Sequence, residues 1–307
     1  MSDFRKTVHR LFSPAGPMAA LHDFEYRSQQ HTMAAAVAEA LAARTHLIVE
    51  APTGVGKTLA YLIPCILHAL EQGRKAVVST HTKNLQDQIL YKDIPLVRAV
   101  LHKEFRAVAL KGRRNYLCTT RLFNALGTPE LLFEDEDLGE LQRIQEWARS
   151  TDTGDVESLG FTPSARVWEA VCSERDVCSS AVCGTTCFFQ RARERARTAE
   201  LVVMNHALFF NLLTLYGSDD RYVFEDDFAV FDEAHTLEAA AGSAAGRRLS
   251  RYSILSALRR LYSRKTRRGL LAGHPRALRD ECARTEHAVD EFFDLLGSAA
   301  RSLAAPA

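Results

Sequence analysis

The chain has 307 residues, 47% of them hydrophobic and 25% charged, which is enough for one large or two modest domains with an ordinary packed core. Its 39 Lys and Arg against 38 Asp and Glu leave a formal net charge of +1. That excludes a uniformly basic nucleic-acid coat or an acidic solvating tail, and confines any nucleic-acid contact to a local patch. Seven cysteines are too few for a disulfide-built secreted scaffold, yet five of them fall between Cys118 and Cys187.

The first residues, MSDFRKTVHRLFSPAG, lack the apolar run of a signal peptide. The most apolar helical stretch, Leu59 to Leu70, is too short to span a bilayer and contains Pro64 and His68. The expectation is a cytoplasmic chain with reduced thiols and no membrane partner. Residues 28–43 read as an Ala-rich helix, and His46 to Glu50 as a buried strand. A glycine turn and a helix from about Lys57 to Gln72 follow, then a strand at 75–79. The helical segment 82–90 is expected to stop before Pro95, and Arg106 to Leu110 reads as a third strand. From Lys111 to Glu200 glycines, an acidic run at 134–140 and cysteines replace the strand pattern. Alternation resumes with a strand at 201–204, a helix from His206 to Leu215 and the strand Phe228 to Phe231. Beyond His235 the chain reads as helix, near 251–263 and 275–296, with a frayed Ala-rich tail. Strands alternating with helices predict a parallel α/β sheet with right-handed crossovers, interrupted by an insertion. The insertion has a poor apolar pattern, and ligation of its cysteines is expected to supply much of its order.

Ala51-Pro-Thr53-Gly54-Val55-Gly56-Lys57-Thr58 matches the P-loop pattern except for alanine at the first glycine position. Gly54 and Gly56 let backbone N–H groups converge on phosphate oxygens at a helix N-terminus. Lys57 would reach the terminal phosphates of ATP, and the Thr58 hydroxyl would ligate Mg2+. Phe228 to Phe231 delivers Asp232-Glu233-Ala234-His235 at the end of an apolar strand, where α/β sheets form ligand sites. Asp232 would hold Mg2+ through its waters, and Glu233 would polarise the attacking water.

This motif pair resembles motifs I and II of superfamily 2 helicases. Ser79 to Gln88 resembles motif Ia of the bacterial iron–sulfur DNA helicases of the DinG/YoaA type, related to XPD. Lys111-Gly-Arg-Arg-Asn-Tyr-Leu-Cys118, Cys187-Phe-Phe with Ala192-Arg193, and Val202-Val-Met-Asn-His-Ala-Leu208 resemble further segments in the family's order. Tyr26-Arg27-Ser-Gln-Gln30 resembles the adenine-reading segment, with Gln30 contacting the base. The likeness covers roughly 24–240. It implies that Arg27, Gln30, Ala51, Thr53, Val55 and His235 join Gly54, Gly56, Lys57 and Thr58 around the nucleotide.

The family pattern maps a [4Fe–4S] cluster onto Cys118, Cys178, Cys183 and Cys187. Cys172, six residues before Cys178, could take that residue's place. A four-cysteine zinc site is the rival reading, although no C-x2-C pair occurs here. Cys65 lies on an apolar helix as core packing, and Cys282 is isolated.

For nucleic acid, Lys111, Arg113 and Arg114 beside Asn115 and Tyr116 suit a phosphate track with a stacking ring. Thr82 and Gln86 resemble family positions near the DNA backbone. Asn205 is equally a helix N-cap, and His81 and His206 take no role of their own. Arg191, Arg193, Arg195 and Arg197 spread around a helix, with Glu194 able to pair. Arg259-Arg260 with Arg264, Lys265, Arg267 and Arg268 is open to a solvated helix end or to DNA.

The resulting fold class is α/β: a RecA-like P-loop NTPase domain with a cysteine-rich iron–sulfur insertion and the start of a helical arch. Residues 1–110 and 200–240 are expected to form the RecA-like domain, 111–199 the insertion and 241–307 the start of the arch. The stretch beyond His235 is too short for a second motor domain of about 100–200 residues. The resemblance implies the N-terminal part of an ATP-dependent, 5′→3′ DNA helicase acting on single-stranded or forked DNA in repair or replication stress. The alternative is a nucleotide- and DNA-binding module with little ATPase activity. A weaker third reading is an iron–sulfur redox sensor with a vestigial P-loop.

Overall fold

The protein's structure, a computed structural model, describes residues 3–21, 25–127, 133, 135–174, 178, 183–214, 224, 227–246 and 249–304. It divides into two compact units, Met1–Gly112 with Gln190–Gly246, and Arg113–Phe189 with Arg247–Ala307.

In the first unit, α1 (Asp3–Leu11), α2 (Ser28–Ala43) and α3 (Lys57–Gln72) precede β1 (Ala76–Thr80). The next elements are α4 (Lys83–Gln88), α5 (Ile94–Leu101) and β2 (Ala107–Ala109). After the crossing into the second unit and back come β3 (Leu201–Asn205), α10 (His206–Thr214), β4 (Phe228–Phe231) and α11 (Leu237–Ala245). The sheet is parallel with order β2-β3-β1-β4, in a register that sets Ser79 beside both Met204 and Phe231. The expectation of a parallel α/β domain holds. The central strand β1 is buried throughout, as an apolar run covered on both faces must be. Helix α3 is apolar nearly all round and runs through the core. Gly73 at φ 64° ends it in the left-handed conformation that favours glycine. Ala34 and Ala38, four apart on α2, present small side chains to that core.

Three expectations change. The run His46 to Glu50 forms no strand: Ile48 is 97% exposed, and the described sheet ends at β4. β-Branched residues favour strands, but pairing and burial decide whether one forms. The helix expected to stop before Pro95 instead continues from α4 through one wide π-type turn, Ile89–Asp93, into α5. Pro95 sits in the first turn of α5, where its missing N–H costs little. The helix expected to reach Leu215 is described as far as Thr214, and Leu215 itself lies outside the described residues.

The third change concerns the second unit, which has an apolar core of its own. It contains α6 (Thr119–Gly127), α7 (Asp135–Ser150) and α8 (Ala165–Val171). Leu117, Leu122, Leu141, Ile144, Val167 and Val171 are buried there. Helix α9 (Phe188–Thr198) begins at its boundary. Tyr116 and Leu117 make isolated antiparallel bridges to Asp155 and Cys172. Two further helices, α12 (Arg251–Leu261) and α13 (Arg276–Ala304), close the unit. Arg251 ties them through Asp290 at 3.0 Å and Asp294 at 2.6 Å. Glu134 of the acidic run and residues 305–307 of the tail lie outside the described residues. Among those that are described, no helix is long and apolar enough to cross a membrane.

Candidate functional site

The residues expected to bind nucleotide come together in the first unit beside the carboxyl end of β4. Gly56 caps α3 at φ 84°, and Gly54 has φ 83°. Both are left-handed values that glycine adopts without a Cβ penalty. Two side chains from the start of α2 and its N-cap close on this turn. Gln30, 4% exposed, donates through Nε2 to the Gly56 carbonyl at 2.9 Å. The Arg27 guanidinium donates to the Gly54 carbonyl. A Cβ on Gly56 would come within 2.3 Å of Gln30 Nε2 and push that amide off the loop. Thr53 and Gly54 are exposed, while Ala51, Val55, Gly56, Lys57 and Thr58 are half-buried along the loop.

Opposite the loop, Asp232 and Glu233 leave the end of β4. The Asp232 amide donates to the Ser79 carbonyl at 2.9 Å, and its Oδ1 accepts the Glu233 amide at 3.0 Å. Glu233 adopts φ 57° without being glycine, a conformation costing about 1–3 kcal/mol that concentrates at functional positions. It aims the carboxylate at Lys57, with Nζ to Oε1 at 3.6 Å, while exposed His235 lies 3.6 Å from Oε2. Tyr61 on α3, which the sequence did not single out, donates to Asp232 Oδ2 at 3.1 Å. Lys57 and Glu233, and Tyr61 and Asp232, therefore face one another from α3 and the end of β4. This lets one cation neutralise phosphate while two carboxylates serve metal and water.

Beneath this site Ser79 Oγ and His206 Nδ1 are 2.7 Å apart, both residues buried. Burial, and then the nearby His81, lower the His206 pKa against the opposing pull of the Asp232 backbone and charge. Asn205 Oδ1 accepts the Leu208 amide at 2.8 Å, which makes it the N-cap of α10.

In the second unit Cys118, Cys178 and Cys183 converge, all buried and with their sulfurs within 4.8 Å of one another. Cys118 Sγ lies 3.4 Å from Cys178 and 3.8 Å from Cys183. Cys187 is buried but its sulfur is not part of that group, and neither is that of Cys172. Burial pushes the Cys118 thiol up to about 12, with the neighbouring thiols adding to the shift. For Cys178 burial is outweighed by the Glu174 amide, Cys118, Ser173 and Arg121, and its pKa falls. Three convergent buried thiols fit thiolate ligation of a metal. The two separations from Cys118 Sγ are those of sulfurs in van der Waals contact.

Two arginines position the cysteine loop. Arg113 donates to the carbonyls of Glu174 at 3.2 Å and Cys178 at 3.0 Å, with its guanidinium 4.5 Å from the Phe189 ring centroid. Arg121, 6% exposed, donates to the carbonyls of Cys172 at 2.6 Å and Glu169 at 2.7 Å. This overturns the phosphate-track reading. Tyr116 is buried against Phe189, Lys111 is buried, and Arg113 serves the loop's own backbone. Arg114 is exposed but paired with Glu169 at 3.2 Å. Their alternative partners were far away in sequence, so the local pattern concealed them. Gln86, expected near DNA, is buried at 1% exposure. On α9 the buried Ala192 and Ala196 turn Arg191, Arg195 and Arg197 outward, and Arg197 pairs with Glu194 at 2.7 Å. Arg260, Arg264, Lys265 and Arg267 are exposed, whereas Arg268 donates to the Phe133 carbonyl.

Residues 27–137 match the DEAD/DEAH box helicase family. The chain is 34% identical over 253 residues to the ATP-dependent DNA helicase YoaA of Haemophilus influenzae, and 36% over 250 residues to that of Escherichia coli. It is 38% identical over 263 residues to the ATP-dependent helicase DinG of Mycobacterium tuberculosis. These alignments take in 80–81% of this chain but only 38–39% of each relative, so the chain spans about two fifths of the curated relatives' length.

Proposed function

Because the chain belongs to the DinG- and YoaA-type helicases, we propose that it is the N-terminal part, carrying the first motor domain, of an ATP-dependent 5′→3′ DNA helicase acting in DNA repair or replication-stress tolerance. The observation that carries the reading is the meeting of Lys57 with Glu233 and of Tyr61 with Asp232, which brings the two halves of the nucleotide motif together. In this reading Gln30 and Arg27, held on the Gly56 and Gly54 carbonyls, would exchange those bonds for the nucleotide, Gln30 at its base, and the loop Ala51–Thr58 would cradle the phosphates. Phosphate oxygens take Lys57 over from Glu233. The released carboxylate then orients the attacking water and draws off its proton. Thr58 directly, and Asp232 through bound waters, would hold Mg2+, which would supply positive charge to the transferring phosphate.

Cys118, Cys178 and Cys183, with Cys187 as the fourth thiolate, would hold a [4Fe–4S] cluster. When bound, it would cross-link segments of the second unit that are far apart in sequence. Single-stranded or forked DNA is the proposed substrate, in a cytoplasmic setting.

A DNA-stimulated ATPase assay tests the reading. Turnover that requires single-stranded DNA and disappears in Lys57→Ala and Glu233→Gln supports a motor. Nucleotide binding without turnover favours a binding module instead. Purification without oxygen, followed by iron and acid-labile sulfide determination, tests the cluster. Stoichiometric zinc in a colourless protein would overturn it.

A further inference from the structure

Tyr61 lies one turn past Thr58 on α3, is 3% exposed and belongs to the first unit's core. Its hydroxyl donates to Asp232 Oδ2 at 3.1 Å. Residues three apart share a helix face, so the phenol lies on the side of α3 that carries Thr58. A phenol has a single hydrogen, and here it is committed to Asp232.

We infer that Tyr61 is a positioning residue that fixes the proposed magnesium ligand Asp232 through the hydrogen bond from Tyr61 Oη–H to Asp232 Oδ2. The consequences are geometric. Asp232 is held at both carboxylate oxygens, by the phenol at Oδ2 and by the Glu233 amide at Oδ1, and each oxygen keeps a lone pair for a metal-bound water. This ligand is thus oriented before the metal arrives, which cuts the ordering cost of binding. The inference rests on the nucleotide site proposed above.

Tyr61→Phe keeps the ring in the core and removes only the hydrogen bond to Asp232. Binding of a non-hydrolysable ATP analogue to the full chain is measured by calorimetry, once with Mg2+ and once with EDTA. For Tyr61→Phe the EDTA affinity should equal wild type, and the gain from Mg2+ should shrink about tenfold, the size of one hydrogen bond to a charged group. In an Asp232→Asn background the same change should have no further effect on that gain. The inference is overturned if Tyr61→Phe keeps the full magnesium gain, loses affinity equally in EDTA, or acts the same beside Asp232→Asn. A wild-type chain that binds no nucleotide at all refutes the site itself, and the tyrosine's role with it.

Discussion

Arg121→Met isolates the clamp on the cysteine loop. The wild-type guanidinium is 6% exposed and donates to the Cys172 and Glu169 carbonyls at 2.6 and 2.7 Å. These carbonyls belong to the end of α8 and the residue after it, where helical acceptors lack intrahelical partners and a cation is favourable. Arg121 also pairs with Glu174 at 2.9 Å, but that carboxylate is 41% exposed and can rehydrate, so it contributes at most about 1 kcal/mol. Methionine preserves the aliphatic bulk and strips the donors. Each carbonyl then loses a bond from a charged donor worth about 1.5–3 kcal/mol. Relief of the buried guanidinium's desolvation offsets part of this. The net expectation is a loss of about 3 kcal/mol in the second unit.

The chain supplies its own probe for this change. Its two tryptophans, Trp147 and Trp168, both lie in the second unit, so tryptophan fluorescence during urea unfolding reports on that unit alone. With a slope of about 1.5 kcal/mol/M the midpoint should fall by roughly 2 M. Arg121→Lys should recover only part of this, because an ammonium cannot span both carbonyls as the planar fork does. A midpoint within about 0.3 M of wild type for Arg121→Met would refute the clamp.

Gly56→Ala should leave the fold intact by circular dichroism and weaken nucleotide binding more than about tenfold, because the left-handed φ costs about 1–2 kcal/mol and the new Cβ displaces Gln30. A fluorescent-nucleotide titration checks it, and unchanged affinity counts against the loop geometry. Metal uptake should tighten as pH rises. Cys118 is pushed up to about 12 and so carries a proton at neutral pH, which a metal must displace, giving about tenfold in affinity per pH unit for each proton released. Zinc titrations at pH 6.5 and 7.5 should show that rise, and pH-independent uptake would contradict it. Cys183→Ser should abolish bound iron while nucleotide binding in the first unit persists, and iron retained at wild-type stoichiometry would remove Cys183 from the ligand set.

The amino-acid sequence by itself marked the P-loop turn with the helix that follows it, and the apolar strand that ends in the DEAH segment. Both are short-range patterns: glycines where the backbone must turn left, a lysine one step into a helix, carboxylates just past an apolar strand. It also marked the cysteines, because thiols clustered in a polar stretch have few other uses. Only the tertiary structure decided what lies across from what. It set Tyr61 against Asp232, 171 residues away, and Arg121 against Cys172, 51 residues away. It turned Arg113 and Tyr116 inward, toward carbonyls and a ring that no local pattern announces. It also left His46 to Glu50 outside the sheet despite strong strand propensity. The physical reason is the same throughout. Periodicity and turn chemistry are written along the chain, whereas hydrogen-bond partners, burial and strand pairing belong to surfaces that exist only once the chain has folded.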